Sequence, residues 1–192
     1  MTVEEMHRIF TSLPTMETER LYMRRLFPSD ALDMFEYASL GSVTEYLLWS
    51  EHPNVQYTRE YLEYLDSRYA VGDFYDWALV LKKSGKMIGT CGFTSIDLVN
   101  NSAEIGYVLN PAFHGIGIAP EAARAVVSFG FSTLELSRIS AVCMKENERS
   151  LRVMKKVGMH YEGVLRSAVY AKGKHRDVCL CAITREDYDQ IS

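Results

Sequence analysis

Two glycines between a strand pattern and a helix pattern are the residues of this chain best placed to do chemistry. Residues 104–109 (EIGYVL) alternate as a strand, residues 121–133 carry a helical pattern, and Asn110-Pro111-Ala112-Phe113-His114-Gly115-Ile116-Gly117-Ile118-Ala119-Pro120 joins them. Gly115 and Gly117 let the backbone curl and approach a ligand with no Cβ in the way. The first N–H groups of the helix that follows have no intrahelical acceptor, and they stand at the positive end of its dipole. That combination suits a phosphate or pyrophosphate. The stretch has no Gly-Lys-Ser/Thr ending, which excludes a P-loop, and no third glycine at the Rossmann position. An ordinary glycine turn explains the same residues equally well, so the rest of the chain must decide.

The elements around this junction can be read in order. Residues 19–26 (ERLYMRRL) alternate well enough for a first strand, and Pro28-Ser29-Asp30 opens a helix with Leu32, Phe35, Tyr37 and Ala38 as its apolar positions. Residues 43–49 (VTEYLLW) read as a short helical segment. Thr58 is placed to cap a helix carrying Tyr61, Leu62, Leu65 and Tyr69. Tyr46, Trp49, Tyr57, Tyr61 and Tyr64 are aromatic enough to line a substrate pocket, although a stripe at helical spacing also describes a core.

From Trp77 the period becomes two. Residues 77–81, a Lys83-Ser84-Gly85-Lys86 turn and residues 87–96 predict a hairpin, and Asn100-Asn101 turns into the strand that bears Glu104. The helix after the glycines is apolar on most sides, leaving Arg124, Ser128 and Ser132 as its polar stripe, so it must be nearly buried. Residues 138–145 (RISAVCMK) form a buried-type strand, parallel to residues 104–109 because a helix connects them. Asn147 caps a further helix that stops at Gly158, and residues 161–170 and 177–183 close the chain as a hairpin around Lys172-Gly173-Lys174. These elements describe one α/β domain over residues 1–192, with residues 1–17 as an N-terminal extension.

Composition narrows the function. The 192 residues are 47% hydrophobic, enough for one full core. Net charge is −4, from 21 Lys+Arg against 25 Asp+Glu, which argues against a nucleic-acid partner and leans toward cationic ones. No apolar run approaches a membrane span, and the first residues do not resemble a secretory signal. Cys91, Cys143, Cys179 and Cys181 lie in apolar strands without metal-ligand spacing, as reduced cysteines of a cytoplasmic protein would.

Taken together, Glu104 on a strand, the turn HGIGIAPEA, a buried helix, a strand, Asn147-Glu148-Arg149-Ser150 and Lys156-Val157-Gly158-Met159 resemble the GNAT superfamily of N-acetyltransferases, in its RimJ/RimL-like branch. The resemblance runs from the ETERLYMRRL opening to the final hairpin. It implies a mixed central sheet flanked by helices: an antiparallel meander, a central parallel pair that splays apart, and a C-terminal hairpin. It also implies acetyl-coenzyme A as co-substrate, without a metal. The pyrophosphate would lie on His114, Gly115, Ile116, Gly117, Ile118 and Ala119. The pantetheine arm would run between Tyr107, Val108 and Leu109 on one strand and residues 142–144 on the other.

By the same resemblance Glu104 is the base facing the acceptor amine, Ser150 the proton donor to the departing thiolate, and Asn147 a partner for the pantetheine amides. Asn147 and Ser150 are also what a helix start requires for itself. Three positions depart from the family pattern. His114 replaces a common Trp, Arg or Gln, Pro120 replaces a Ser or Thr, and Ile116 replaces a basic residue, which removes one cation from the phosphate site. His114 and His160 read as surface or turn residues.

The acceptor follows from proton chemistry. An α-amine titrates near ~7.7–8.0 and a lysine near ~10.4, so presenting a neutral lysine at pH 7 costs about 3 kcal/mol more. One carboxylate base therefore favours a peptide N-terminus or a small amine, held by Glu104 and an aromatic wall that includes Trp49. The expected assembly is a monomer or homodimer. A non-catalytic coenzyme A sensor or scaffold and a nucleotide-binding regulator are the alternatives. Polar residues at 104, 147 and 150 favour the enzyme.

Overall fold

The computed structural model describes residues 1–191. Eight strands form one sheet in the order β1-β2-β3-β4-β5-β6-β8-β7. They are β1 (Met16–Glu17), β2 (Leu21–Arg24), β3 (Tyr75–Leu81), β4 (Met87–Asp97), β5 (Ser102–Leu109), β6 (Arg138–Met144), β7 (His160–Ala171) and β8 (Lys174–Thr184). All neighbours are antiparallel except β5 and β6. The predicted meander, parallel pair and closing hairpin are all present. The hairpin folds back so that β8 sits beside β6 and β7 takes the edge.

Alternation along the strands builds two cores, one on each face. Trp77, Leu79, Ile105 and Leu109 point to the face covered by α5 (Ile118–Ser132) and α6 (Glu148–Lys156). Ala78, Val80 and Met87 point to the face covered by α2 (Ala31–Ala38) and α4 (Val55–Ala70). On the first face the Trp77 ring meets Phe93 and Phe129 edge-on, at centroid distances of 6.2 and 5.3 Å. The predicted burial of α5 holds. Ala122, Ala123, Val126, Val127, Phe129 and Phe131 are inside and Arg124 is outside.

Several local expectations differ in the structure. The N-terminal residues are built in, for α1 (Val3–Thr11) sends a fully buried Phe10 against Tyr75 and Trp77. The helix after Pro28 buries Ala31, Met34, Tyr37 and Ala38 while Leu32 is 69% exposed, because the four buried residues recur at helical spacing on the face packed against the sheet and α4, and Leu32 falls on the opposite side. In residues 43–49 only the start is helical, as part of α3 (Gly41–Thr44). Asn54, not Thr58, caps α4, its side chain accepting from the Tyr57 amide. Thr58 is buried inside that helix, 2.8 Å from His52 Nδ1. The helix after the glycines begins at Ile118, three residues earlier than its pattern suggested, since Pro120 is compatible with a first turn.

Candidate functional site

The parallel pair β5/β6 is joined over three residue pairs only: Ser102 with Arg138, Ala103 with Ile139, and Glu104 with Ser140. Beyond Glu104, β5 stays with β4 through Leu109, and β6 stays with β8 through Met144. A gap therefore opens in the middle of the sheet, with backbone groups of 105–109 and 141–144 along its two sides.

Residues predicted from the sequence gather around this gap on both faces. Strand alternation places Glu104, Gly106 and Val108 toward α2 and α4, and Ile105, Tyr107 and Leu109 toward α5 and α6. Glu104 is half-buried, and its Oε1 accepts from Thr94 Oγ1 at 3.1 Å across a bulge between Phe93 and Ser95. Ser150 is half-buried in the first turn of α6, where the Asn147 side chain caps the helix by accepting from the Ser150 amide at 3.1 Å. The structural role of both residues at a helix start is thus real.

Tyr107 had been expected to contribute only as part of a strand edge. Its phenol lies 2.8 Å from Ser150 Oγ and donates to the Ser150 carbonyl at 3.0 Å, spanning from β5 to the helix that follows β6. Burial pushes the Tyr107 hydroxyl well above its usual range, while the Ser150 hydroxyl pulls it partway back and nearby cysteines add to the rise. The Tyr107 phenol is therefore neutral at neutral pH, and either hydroxyl of the pair can donate to the other.

At the end of β5, Gly115 and Gly117 both take left-handed backbone, with φ of +81° and +86°. A side chain at Gly115 would project into open space in front of α5. Gly117 is the residue before α5 and offers no side-chain cap, so the first amides of α5 stay available for an anion. His114 Nε2 lies 2.9 Å from the Leu109 carbonyl oxygen and keeps the loop folded back on β5. An open turn of amides beside a split sheet fits a long cofactor with a phosphate at one end and a thioester at the other.

At the turn where Ile116 stands in place of a basic residue, the tertiary structure brings in a distant arginine. Arg20, just before β2, donates to the Ile116 carbonyl at 2.8 Å and pairs with Glu121 at 2.6 Å. A Cβ at Gly117 would lie 3.5 Å from its guanidinium. Burial raises the Glu121 carboxyl, but the Thr18 hydroxyl and the Arg20 amide and guanidinium outweigh it and hold the group below its usual range. Nothing local in the sequence marks Arg20, which is 101 positions from its partner.

The aromatic residues of the other layer divide. Trp49 is half-buried and tilted against His52, whose ring also meets Tyr57 and Tyr61 edge-on. Tyr46 packs instead with Met144 and Val178 beside the β7–β8 hairpin. That hairpin is tied across to α3 by Lys172 Nζ, which donates to the Thr44 carbonyl at 2.8 Å. His160, expected as a lone surface residue, stands 3.5 Å from Asp187 and is mostly exposed, away from the gap.

The four cysteines are buried free thiols. No cluster of three His, Cys, Asp or Glu residues suited to a metal occurs among the described residues. No helix among them is long and apolar enough to cross a membrane.

Comparison with known proteins agrees with this geometry. The model of the acetyltransferase (GNAT) domain matches residues 20–160. The uncharacterized N-acetyltransferase p20 of Bacillus licheniformis is 32% identical over 92% of this chain and 99% of its own. YdaF of Bacillus subtilis is 28% identical over 89% of this chain and 94% of its own, and a spermidine N(1)-acetyltransferase of Escherichia coli is 28% identical over 57% and 59%. A GNAT-family acetyltransferase from Bacillus anthracis superposes with a TM-score of 0.80 at 29% identity, covering 90% of this chain and 99% of that one. The chain belongs to the GNAT superfamily and is an N-acetyltransferase that uses acetyl-coenzyme A.

Proposed function

We propose that the chain acetylates an α-amine or a small primary amine presented to Glu104, with Ser150 returning a proton to the coenzyme sulfur. The observation that carries this reading is the placement of the two groups. They lie on opposite faces of one gap, so an amine entering beside α2 and α4 and a thioester arriving from the α5 side meet between them.

Acetyl-coenzyme A supplies an activated carbonyl, so what is left to the chain is alignment and proton transfer. Gly115 to Ala119 bind the pyrophosphate through backbone amides, helped by the dipole of α5. Exposed strand amides at the gap polarise the carbonyl oxygen. Glu104, directly or through a water, takes the ammonium proton. The C–N bond forms and the C–S bond breaks, and the Ser150 hydroxyl, tied to Tyr107, passes its proton to the sulfur and regains one from the acylated nitrogen, directly or through a water.

Two relatives are named for different acceptors: YdaF, provisionally, for ribosomal N-acetylation, and the Escherichia coli enzyme for spermidine. The decisive experiment incubates the protein with acetyl-coenzyme A and a panel of peptides and amines, following free thiol and product mass. Acetylated amine should accumulate in step with thiol. Thiol release unaffected by every amine offered would overturn the reading.

A further inference from the structure

One acid on the acceptor side of the sheet has no part in the chemistry above. Asp76 on β3 lies opposite Gly92 on β4, which lies opposite Gly106 on β5. Alternation puts all three on the α2/α4 face, the face to which Glu104 also belongs. Neither glycine contributes a side chain between Asp76 and Glu104, and the group over Gly106 is the Thr94 methyl, which a Cβ there would meet at 2.8 Å. A Cβ at Gly92 would come within 2.6 Å of Asp76 Oδ1.

The carboxylate is poorly served by the protein around it. Asp76 keeps part of its surface open, but Oδ1 is covered and has no hydrogen-bond partner. Burial lifts its pKa to about 7 against the pull of the Thr90 hydroxyl and the Trp77 amide. The walls are tyrosines. Burial and then the Asp76 charge raise the Tyr61 hydroxyl to about 12, and Tyr37 feels the same two influences. The Tyr69 hydroxyl donates to the Asp76 carbonyl oxygen at 2.5 Å. An orphaned carboxylate oxygen among phenol rings is costly for a folded chain to keep and is matched by a cationic donor from outside.

We propose that Asp76 is a recognition site for a second ammonium group of the acceptor, which makes the preferred substrate a small diamine, bound with one nitrogen at Glu104 and the other at Asp76. This rests on the acetyl-transfer reading and narrows it. Two strand spacings and two residues separate the carboxylates, roughly 12 Å between Cα atoms. After allowing for both side chains and both hydrogen bonds, roughly three to five methylenes fit between the nitrogens. The chain's net charge of −4 favours approach of such a cation.

The test compares 1,3-diaminopropane, 1,4-diaminobutane and 1,5-diaminopentane with butylamine at pH 8. Acetylation is followed by thiol release, and binding to the coenzyme A-loaded protein by calorimetry. Wild type should favour the best diamine over butylamine by at least ~10-fold in kcat/KM, mainly through KM. Asp76→Asn should abolish that ratio and leave butylamine turnover within about twofold. Asp76→Glu, with its longer reach, should shift the preference to a shorter diamine, an effect that a merely structural aspartate does not produce.

An unchanged diamine-to-monoamine ratio in a folded Asp76→Asn protein would overturn the proposal, as would a wild-type preference for butylamine. Should no amine be acetylated, acetyl transfer to small amines fails, and calorimetry still decides the subsite: diamine binding that ignores Asp76→Asn or Asp76→Glu sinks it. Should Asp76→Asn not fold, Asp76→Glu carries the same decision.

Discussion

Tyr107 and Ser150 share a hydrogen bond of 2.8 Å across the open end of the β5/β6 gap, although 43 positions separate them in the chain. The bond joins β5 to the first turn of α6. It ties the Ser150 hydroxyl to a residue outside its own helix, which the Asn147 cap, bonded to the Ser150 amide, does not do.

Ser150→Ala should lower kcat by ~10²-fold with little change in the Michaelis constant for acetyl-coenzyme A, because proton return matters in the transition state. Tyr107→Phe should lower kcat by about 10-fold and do so only while Ser150 is present. The double variant should then be no slower than Ser150→Ala alone, since residues acting as a unit are not additive. Additive losses in the double-mutant cycle would show that Tyr107 acts independently, and a change limited to melting temperature would make it a packing residue.

Glu104→Gln keeps the size of the side chain but cannot take a proton. Its turnover should fall most where the amine is protonated and recover as pH rises through the amine pKa, near ~8 for an α-amine and ~10 for a lysine-like amine. The readout is a pH profile of kcat/KM for both proteins from pH 6.5 to 10.5. A constant deficit at every pH removes Glu104 as the base.

Arg20→Ala should weaken acetyl-coenzyme A binding by about 10-fold, because it removes a cation beside the turn and leaves Glu121 uncompensated there. Gly117→Asp should weaken it by more than ~100-fold, combining a misplaced charge with strain at a φ of +86°. Calorimetry on folded variants checks both. Wild-type affinity in Gly117→Asp would move the phosphate site elsewhere.

Asp76 makes stability fall as pH rises. Its folded pKa of about 7 stands above the unfolded value near 3.8, so between those values the native state keeps a proton that the unfolded state has released. Wild type should lose up to roughly 4 kcal/mol between pH 4 and pH 8, as an upper bound, and Asp76→Asn should lack that loss. Urea unfolding at pH 5, 6.5 and 8 measures the difference. Parallel stability curves for the two proteins would place the Asp76 carboxyl in an ordinary, solvated setting.

Much of this molecule was legible locally. Period-two alternation marked β3, β4 and β5, the apolar wrap of α5 announced its burial, and Asn147 three residues before Ser150 announced a cap. Errors fell where neighbouring residues compete for one role. Thr58 and Asn54 are both good caps, and only packing against His52 shows that Thr58 belongs inside the helix. Leu32 is helical and apolar, yet it lies opposite the face formed by Ala31, Met34, Tyr37 and Ala38, which is the one that packing selects.

The glycine spacing, the caps and the strand periods are short-range properties, set by steric freedom and by backbone groups seeking partners within a few residues, and the sequence by itself determined them. The site depended on contacts that no local pattern encodes. Arg20 reaches the Ile116 carbonyl and Glu121 only because β2 ends up beside the start of α5. Tyr107 meets Ser150 only because β5 and β6 part after Glu104. Asp76 faces the same layer as Glu104 only because three antiparallel strands align Asp76, Gly92 and Gly106 in register. Sheet register and the splay are decided by the packing of both faces at once, so the electrostatics of this site belong to the tertiary structure.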